Sequence, residues 1–118
     1  MSKFKYFFIL FYILNSNALA QNISKKEVDD ILFNKITLLN KNGKYQEAYK
    51  LGISAESISH NIGYLKGEAW SDYRIGNSLI DFEKYPEALK YLKKSFKLNE
   101  KLKDKQLEIG LKISFGRY

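Results

Sequence analysis

Gly43-Lys44-Tyr45-Gln46-Glu47-Ala48 and Glu83-Lys84-Tyr85-Pro86-Glu87-Ala88 are near copies of one another, set 40 residues apart. A period between about 20 and 50 residues marks one supersecondary unit stacked on itself, with a core built between neighbours and function carried on the surface that the stack creates. The echo therefore predicts an all-α repeat and says how the protein binds before it says what.

Working outward from the second copy, Ala69, Tyr73, Ile75, Gly76, Leu79, Ile80 and Phe82 recur at three- and four-residue intervals, as on a helix burying a wide stripe. Asp81 to Lys84 read as a short polar turn. Pro86 falls where proline is best tolerated, in the first turn of a helix whose amides lack intrahelical partners. Ala88, Leu89, Tyr91, Leu92, Ser95, Phe96 and Leu98 continue at helical spacing. Small residues at 76, 88 and 95 let two antiparallel helices approach closely, so the unit is expected to be a helical hairpin.

A shift of 40 residues towards the N-terminus superposes Phe33 on Tyr73, Leu39 on Leu79, Ala48 on Ala88 and Ala55 on Ser95. Ser24 to Glu27 reads as a capping box. Asp29 and Asp30 read as a solvated helix start that favours the positive end of the helix dipole. Ile36 stands in the place of Gly76, which predicts a looser or differently angled first hairpin. The opposite shift places Glu108, Ile109, Ile113, Phe115 and Gly116 on Glu68, Ala69, Tyr73, Ile75 and Gly76. The expected units are 24–63, 64–103 and an incomplete 104–118, about two and a half repeats.

The run Gly67-Glu68-Ala69 through Ile75-Gly76 to Tyr85-Pro86-Glu87-Ala88-Leu89 resembles a tetratricopeptide repeat in its longer form of about 40 residues. The resemblance implies a helical-hairpin solenoid whose first helices line a concave face. Counted from Gly76, the ligand-facing positions would be Trp70, Tyr73, Asn77, Ile80 and Asp81, with Phe33, Thr37 and Asn40 one unit earlier and Ile113 and Arg117 one unit later. An aromatic strip with a few amides suits an extended peptide or a partner helix. Tyr73 and Phe33 serve equally well as plain interhelical packing. The two-lysine, asparagine-rich clamp with which some members of the family hold a carboxylate is not reproduced, since Phe33 and Thr37 stand where it would begin.

The first twenty residues differ from the rest. Lys3 and Lys5 precede an apolar run from Tyr6 to Leu14, followed by Asn15-Ser16-Asn17 and Ala18-Leu19-Ala20. This is the pattern of a secretory signal peptide cleaved after Ala20. The run is too short to span hydrocarbon, which takes roughly 20 helical residues. Residues 21–118 are then the repeat domain, exported to the periplasm or the exterior. By analogy with the sensory half of bacterial membrane-bound regulators, the chain is expected to be the N-terminal part of a larger signalling or regulatory protein.

Composition is that of an ordinary globular domain, with 45% hydrophobic and 28% charged residues. The absence of cysteine excludes disulfides and thiolate metal sites. The formal charge of +7 falls to +5 once Lys3 and Lys5 are set aside. Lysines interleave with acids, as on a solvated helix face. Nucleic-acid binding is therefore not expected, although a helical reader using the basic excess is the alternative of another class.

Catalysis finds no support. His60, the single histidine, is placed by the pattern in a polar loop between units beside Ser57, Ser59 and Asn61. It has neither a second histidine for zinc nor an orienting carboxylate for a nucleophile. No catalytic residue, metal ligand or cofactor is assigned, and the expected partner is a protein or peptide. The third unit, as read, leaves part of Ile109, Leu111, Ile113 and Phe115 facing water. Two such side chains forfeit roughly 3–6 kcal/mol, which points to a longer array, a truncated product, or self-association through the open end.

Overall fold

The computed structural model describes residues 23–117, and its regular elements over them are all helices. The expected leader lies outside these residues. Helix α1 runs over 25–41 in three parts, Lys25–Asp30, a π-helical stretch Ile31–Lys35, and Ile36–Lys41. It is followed by α2 (Tyr45–Asn61), α3 (Leu65–Asp81), α4 (Tyr85–Leu102) and α5 (Lys105–Phe115). Among the described residues no helix is long and apolar enough to cross a membrane.

The turns repeat more regularly than the helices. Gly43, Gly63, Glu83 and Lys103 all take positive φ, at 74°, 69°, 59° and 57°. Twenty residues separate each from the next, half of the sequence echo. The first three turns close alike, the amides of Lys44, Tyr64 and Lys84 each donating to a carbonyl five residues back (Leu39, Ser59 and Leu79) at 2.8 Å. That is the Schellman closure, and it needs a left-handed residue just past the helix. The shared backbone turn sets the same reversal after α1, α2 and α3.

Short reversals make sequential helices antiparallel, and the small residues set how closely they approach. A Cβ on Gly76 would lie 2.7 Å from Leu92 Cδ2 and 3.3 Å from the Ala88 carbonyl, so α3 and α4 touch there backbone to side chain. The Ser95 hydroxyl, in the same seam, donates to the Ala69 carbonyl at 2.7 Å. Gly52 does the same for α2 and α3, where an added Cβ would meet Ile75 at 3.2 Å. Val28, Leu32, Ile36, Ile75, Leu79, Leu92, Leu107 and Leu111 fill the volume between. Each large side chain so buried contributes about 1.5–3 kcal/mol.

Alternate helices also meet, now running parallel. Asp29 and Phe33 of α1 lie beside Lys66 and Trp70 of α3, and Trp70 and Asn77 lie beside Asp104 and Ser114 of α5. Lys94 of α4 reaches Glu56 of α2. The molecule thus has one layer of α1, α3 and α5 and another of α2 and α4, with the core between them.

Several local expectations need amending. His60 sits in the last turn of α2, not in a loop, and its Nδ1 lies 3.5 Å from Glu68 Oε1. The turn expected over 81–84 runs over 82–84, because Asp81 still belongs to α3. Of the capping box only one half forms, the Glu27 amide donating to Ser24 Oγ at 3.2 Å. Asp29 is more than a solvated helix start, since it accepts from the Tyr64 hydroxyl at 2.7 Å. Ile36 is buried, and the amide N–H of Ile36 reaches back five residues to the Ile31 carbonyl, so a widened turn lies directly ahead of the bulky residue that replaces Gly76. At the C-terminal end Ile109 and Ile113 are 59% and 64% exposed. Leu111 is instead buried, and Phe115 is half-buried with its ring 6.5 Å from that of Phe96.

Candidate functional site

The residues singled out for a ligand surface all lie in or beside the α1/α3/α5 layer, and most of them hold that layer together. Trp70 is the centre. Its ring meets Phe33 of α1 edge-on at 4.9 Å and Tyr73 at 5.5 Å, and its indole N–H donates to Asp104 Oδ2 at 2.9 Å. With 8% of its surface exposed, it has little left to offer a ligand. Ile80 is likewise buried. Tyr73 is half-buried over α5, where Gly110 makes room; a Cβ there would sit 2.7 Å from the tyrosine oxygen.

Polar positions continue the same row. Asn77 Oδ1 accepts from the Ser114 hydroxyl at 2.7 Å, and Asp81 Oδ1 accepts from Arg117 at 2.9 Å. Thr37 Oγ1 accepts from Arg74 at 3.3 Å. Asn40 is half-buried and Ile113 exposed. Phe33 has one face under Lys66, whose Nζ lies 5.4 Å from the ring centroid. A row of contacts between parallel helices arises because residues three and four apart on one helix face meet their counterparts on the next.

The α4–α5 junction is built around Asp104. Its Oδ1 caps α5 by accepting the Leu107 amide at 3.1 Å, while Asn99 clasps its backbone, accepting from the Asp104 amide at 2.9 Å and donating to its carbonyl at 3.1 Å. Burial pushes the Asp104 carboxyl up, but hydrogen bonds from Trp70 and from the Leu107 and Gln106 amides, with Lys66 nearby, outweigh it and hold it below the ordinary aspartate value. At the other end of the layer, burial first and then the bond to Asp29 push the Tyr64 hydroxyl up to about 12.

Sequence reasoning passed over Arg74. Its guanidinium is half-buried in the seam between α1 and α3, makes the one hydrogen bond to Thr37, leaves Nε without a partner, and pairs with no carboxylate among the described residues. Burial lowers its pKa. The available signal was the residue type itself. Arg74 and Arg117 are the only arginines in a lysine-rich chain, and arginine is the cation suited to partly dehydrated, planar contacts.

Among the described residues no three His, Asp or Glu side chains are placed to hold a metal ion. No family model matches the chain, and no curated protein or solved structure matches it either. The class that fold and site define is an all-helical, two-layer protein whose candidate surface is a row of aromatic and polar side chains along three parallel helices.

Proposed function

We propose that this chain is a helical-hairpin repeat scaffold of the tetratricopeptide kind, which binds an acidic peptide or partner helix along the α1/α3/α5 layer and has no enzymatic activity. Two hairpins and a further helix, with starts 40 residues apart, support the repeat reading. The leader pattern of residues 1–20 supports binding outside the cytoplasm, and the analogy with bacterial membrane-bound regulators supports a place within a larger regulatory protein.

The observation that carries the binding reading is the lone Arg74 guanidinium. A half-buried cation with one neutral hydrogen-bond partner is incompletely compensated, and a carboxylate accepting from its free N–H groups would make charge-assisted bonds of roughly twice the usual strength. Around it Thr37, Phe33, Tyr73 and Asn77 keep part of their surface open. Trp70 and Ile80 act beneath the surface, holding the row rather than touching the ligand.

Fluorescence anisotropy with labelled hexapeptides, one set rich in Asp and Glu and one in Lys, tests this. Acidic peptides should bind, Arg74→Ala should weaken them at least tenfold, and Arg74→Lys should restore only part. Equal affinity in the wild type and Arg74→Ala would refute the assignment.

A further inference from the structure

Along the sequence of α4 lysines interleave with acids, but the helix sorts them by face. With about 100° between successive residues, Lys93, Lys97, Lys90 and Lys101 fall within an arc of about 80°, opposite the buried Ala88, Leu92, Ser95 and Asn99. All four are exposed, and they run about 16 Å along the helix. Lys94 stands at one edge of the arc and is engaged inward, 3.4 Å from Glu56 and 3.8 Å from the fully buried Asp72. Glu87 and Glu100 are the acids of this helix, and they fall just outside the two edges.

This stripe is neither compensated nor required by the fold. None of the four lysines has a carboxylate within ion-pair distance among the described residues, whereas Lys35, Lys66, Lys94 and Lys112 each have one. Like charges four residues apart, as in Lys93 with Lys97 and Lys97 with Lys101, weaken the helix that carries them. One repeat earlier the four positions are Lys50, Ile53, Ser57 and Asn61, so α2 forms the same layer without the stripe. Apolar groups flank it on one side. Leu89 and Pro86 line an open depression of about 470 Å³ with Lys90 and Lys93, and Phe96, on the same flank as Leu89, stays 49% exposed.

We propose that the outer face of α4 docks on an anionic lipid bilayer, its lysines meeting the headgroups while Leu89 and Phe96 settle at the headgroup boundary. A helix face of this kind lies on a membrane and does not span it, and clustered lysines are what a negative bilayer surface attracts. The composition of the arc favours a diffuse anionic surface over a single bound group. It holds no Ser, Thr, Asn or Gln to direct a hydrogen bond, and its cations are hydrated point charges in place of the planar fork with which arginine grips one phosphate or carboxylate. Nucleic acid fits less well, since the arc offers no aromatic ring on which bases could stack and Phe96 on its flank is turned edge-on to Phe115. Because α4 belongs to the second layer, a chain docked in this way keeps the α1/α3/α5 row turned away from the bilayer.

The test is co-sedimentation of the purified full chain with vesicles of mixed phosphatidylglycerol and phosphatidylcholine, and with vesicles of phosphatidylcholine alone. Each lysine near an anionic surface contributes about fivefold in affinity, so Lys93→Gln/Lys97→Gln should weaken binding to the anionic vesicles at least tenfold, and Lys90→Gln/Lys101→Gln should do the same. The charge-matched Lys26→Gln/Lys41→Gln, on α1, should leave it nearly unchanged. Residues 1–20 are common to every variant, so their own affinity for lipid cancels in the comparison, and helical circular dichroism checks that each variant folds. Unchanged affinity in the α4 variants, an equal loss in the α1 variant, or wild-type binding as tight to neutral as to anionic vesicles would overturn the assignment. A single-stranded or duplex oligonucleotide that binds more tightly than the vesicles, and is lost in the same α4 variants, would overturn it in favour of nucleic acid.

Discussion

Replacing Asp104 by alanine is expected to destabilise the protein by about 2–4 kcal/mol, and the figure separates into two parts. Oδ1 accepts the Leu107 amide at 3.1 Å as the N-cap of α5, a contact whose loss costs about 1 kcal/mol. Oδ2 accepts the Trp70 indole N–H at 2.9 Å. Because Trp70 is 8% exposed, removing the acceptor strands a buried donor, at about 1–3 kcal/mol. Urea unfolding, followed by helical circular dichroism and by the fluorescence of Trp70, measures the sum. Asp104→Asn separates the parts: its carbonyl keeps the cap, while its amide turns a donor towards the indole and loses the second bond alone. In a Trp70→Phe background that asparagine penalty should vanish. A loss below about 0.5 kcal/mol for the alanine variant, or an asparagine penalty unchanged by Trp70→Phe, would show that Asp104 does not hold α3 to α5.

Glu83→Gly should raise stability by about 0.5–1 kcal/mol, because relieving a non-glycine left-handed residue gains about 1–2 kcal/mol and the looser unfolded chain returns about 0.5–1; Gly43→Ala should shift the urea midpoint in the opposite direction. Asp72→Leu, which installs the residue found at Leu32, should raise stability by about 1–3 kcal/mol, because it removes a buried carboxylate without hydrogen bonds while Lys94, half in solvent, keeps Glu56, and a lowered melting temperature would mean that the Lys94 pair is net stabilising. Acid should selectively remove the Asp104 contribution. Its folded pKa lies below the ordinary value, so the stabilisation is complete above the unfolded pKa of about 3.9 and is lost as pH falls through the lower folded value. The stability gap between wild type and Asp104→Asn should therefore narrow below about pH 4, and a gap constant down to unfolding would contradict the bond.

Helical hairpins were legible because two independent signals agreed. Apolar residues at three- and four-residue spacing defined an all-helical chain, and the Gly43 and Glu83 segments marked equivalent turns, whereas α2 runs on to Asn61 through residues that read as loop. What could not be read was how a side chain divides its surface between neighbours. Trp70 counts as an outward position when α3 is taken alone, but α1 and α5 close over it from both sides. His60 looked like loop because Ser57, Ser59 and Asn61 surround it, yet Ser59 is buried against α3 and tertiary packing carries α2 through the polar stretch. Asp72 was readable in principle, since the 40-residue shift sets it on Leu32. An acid at an otherwise apolar repeat position is a sequence signal that needs no coordinates.

The row along α1, α3 and α5 and the cluster under Lys94 follow from one geometric constraint. A hairpin buries its small residues where its two helices cross, at Gly76, Ala88 and Ser95, and that leaves the larger and polar side chains to join one unit to the next. In the first layer nearly every such group finds its counterpart, with Asn77 on Ser114, Asp81 on Arg117 and Trp70 on Asp104. Groups that fail to find one are therefore informative, because a stacked repeat has so many chances to supply a partner. Arg74 on one layer and Asp72 on the other are the two buried or half-buried charges left short of hydrogen bonds. Their signs are opposite, and they lie two residues apart on α3. A helix at the centre of the stack, packed on both sides, thus turns a cation without a carboxylate partner to one face and, to the other, an anion that has Lys94 nearby but no hydrogen bond. Substituting Arg74 should weaken peptide binding along the α1/α3/α5 layer while Asp72→Leu leaves it unchanged, and an equal loss from both would mean that α3 itself had shifted.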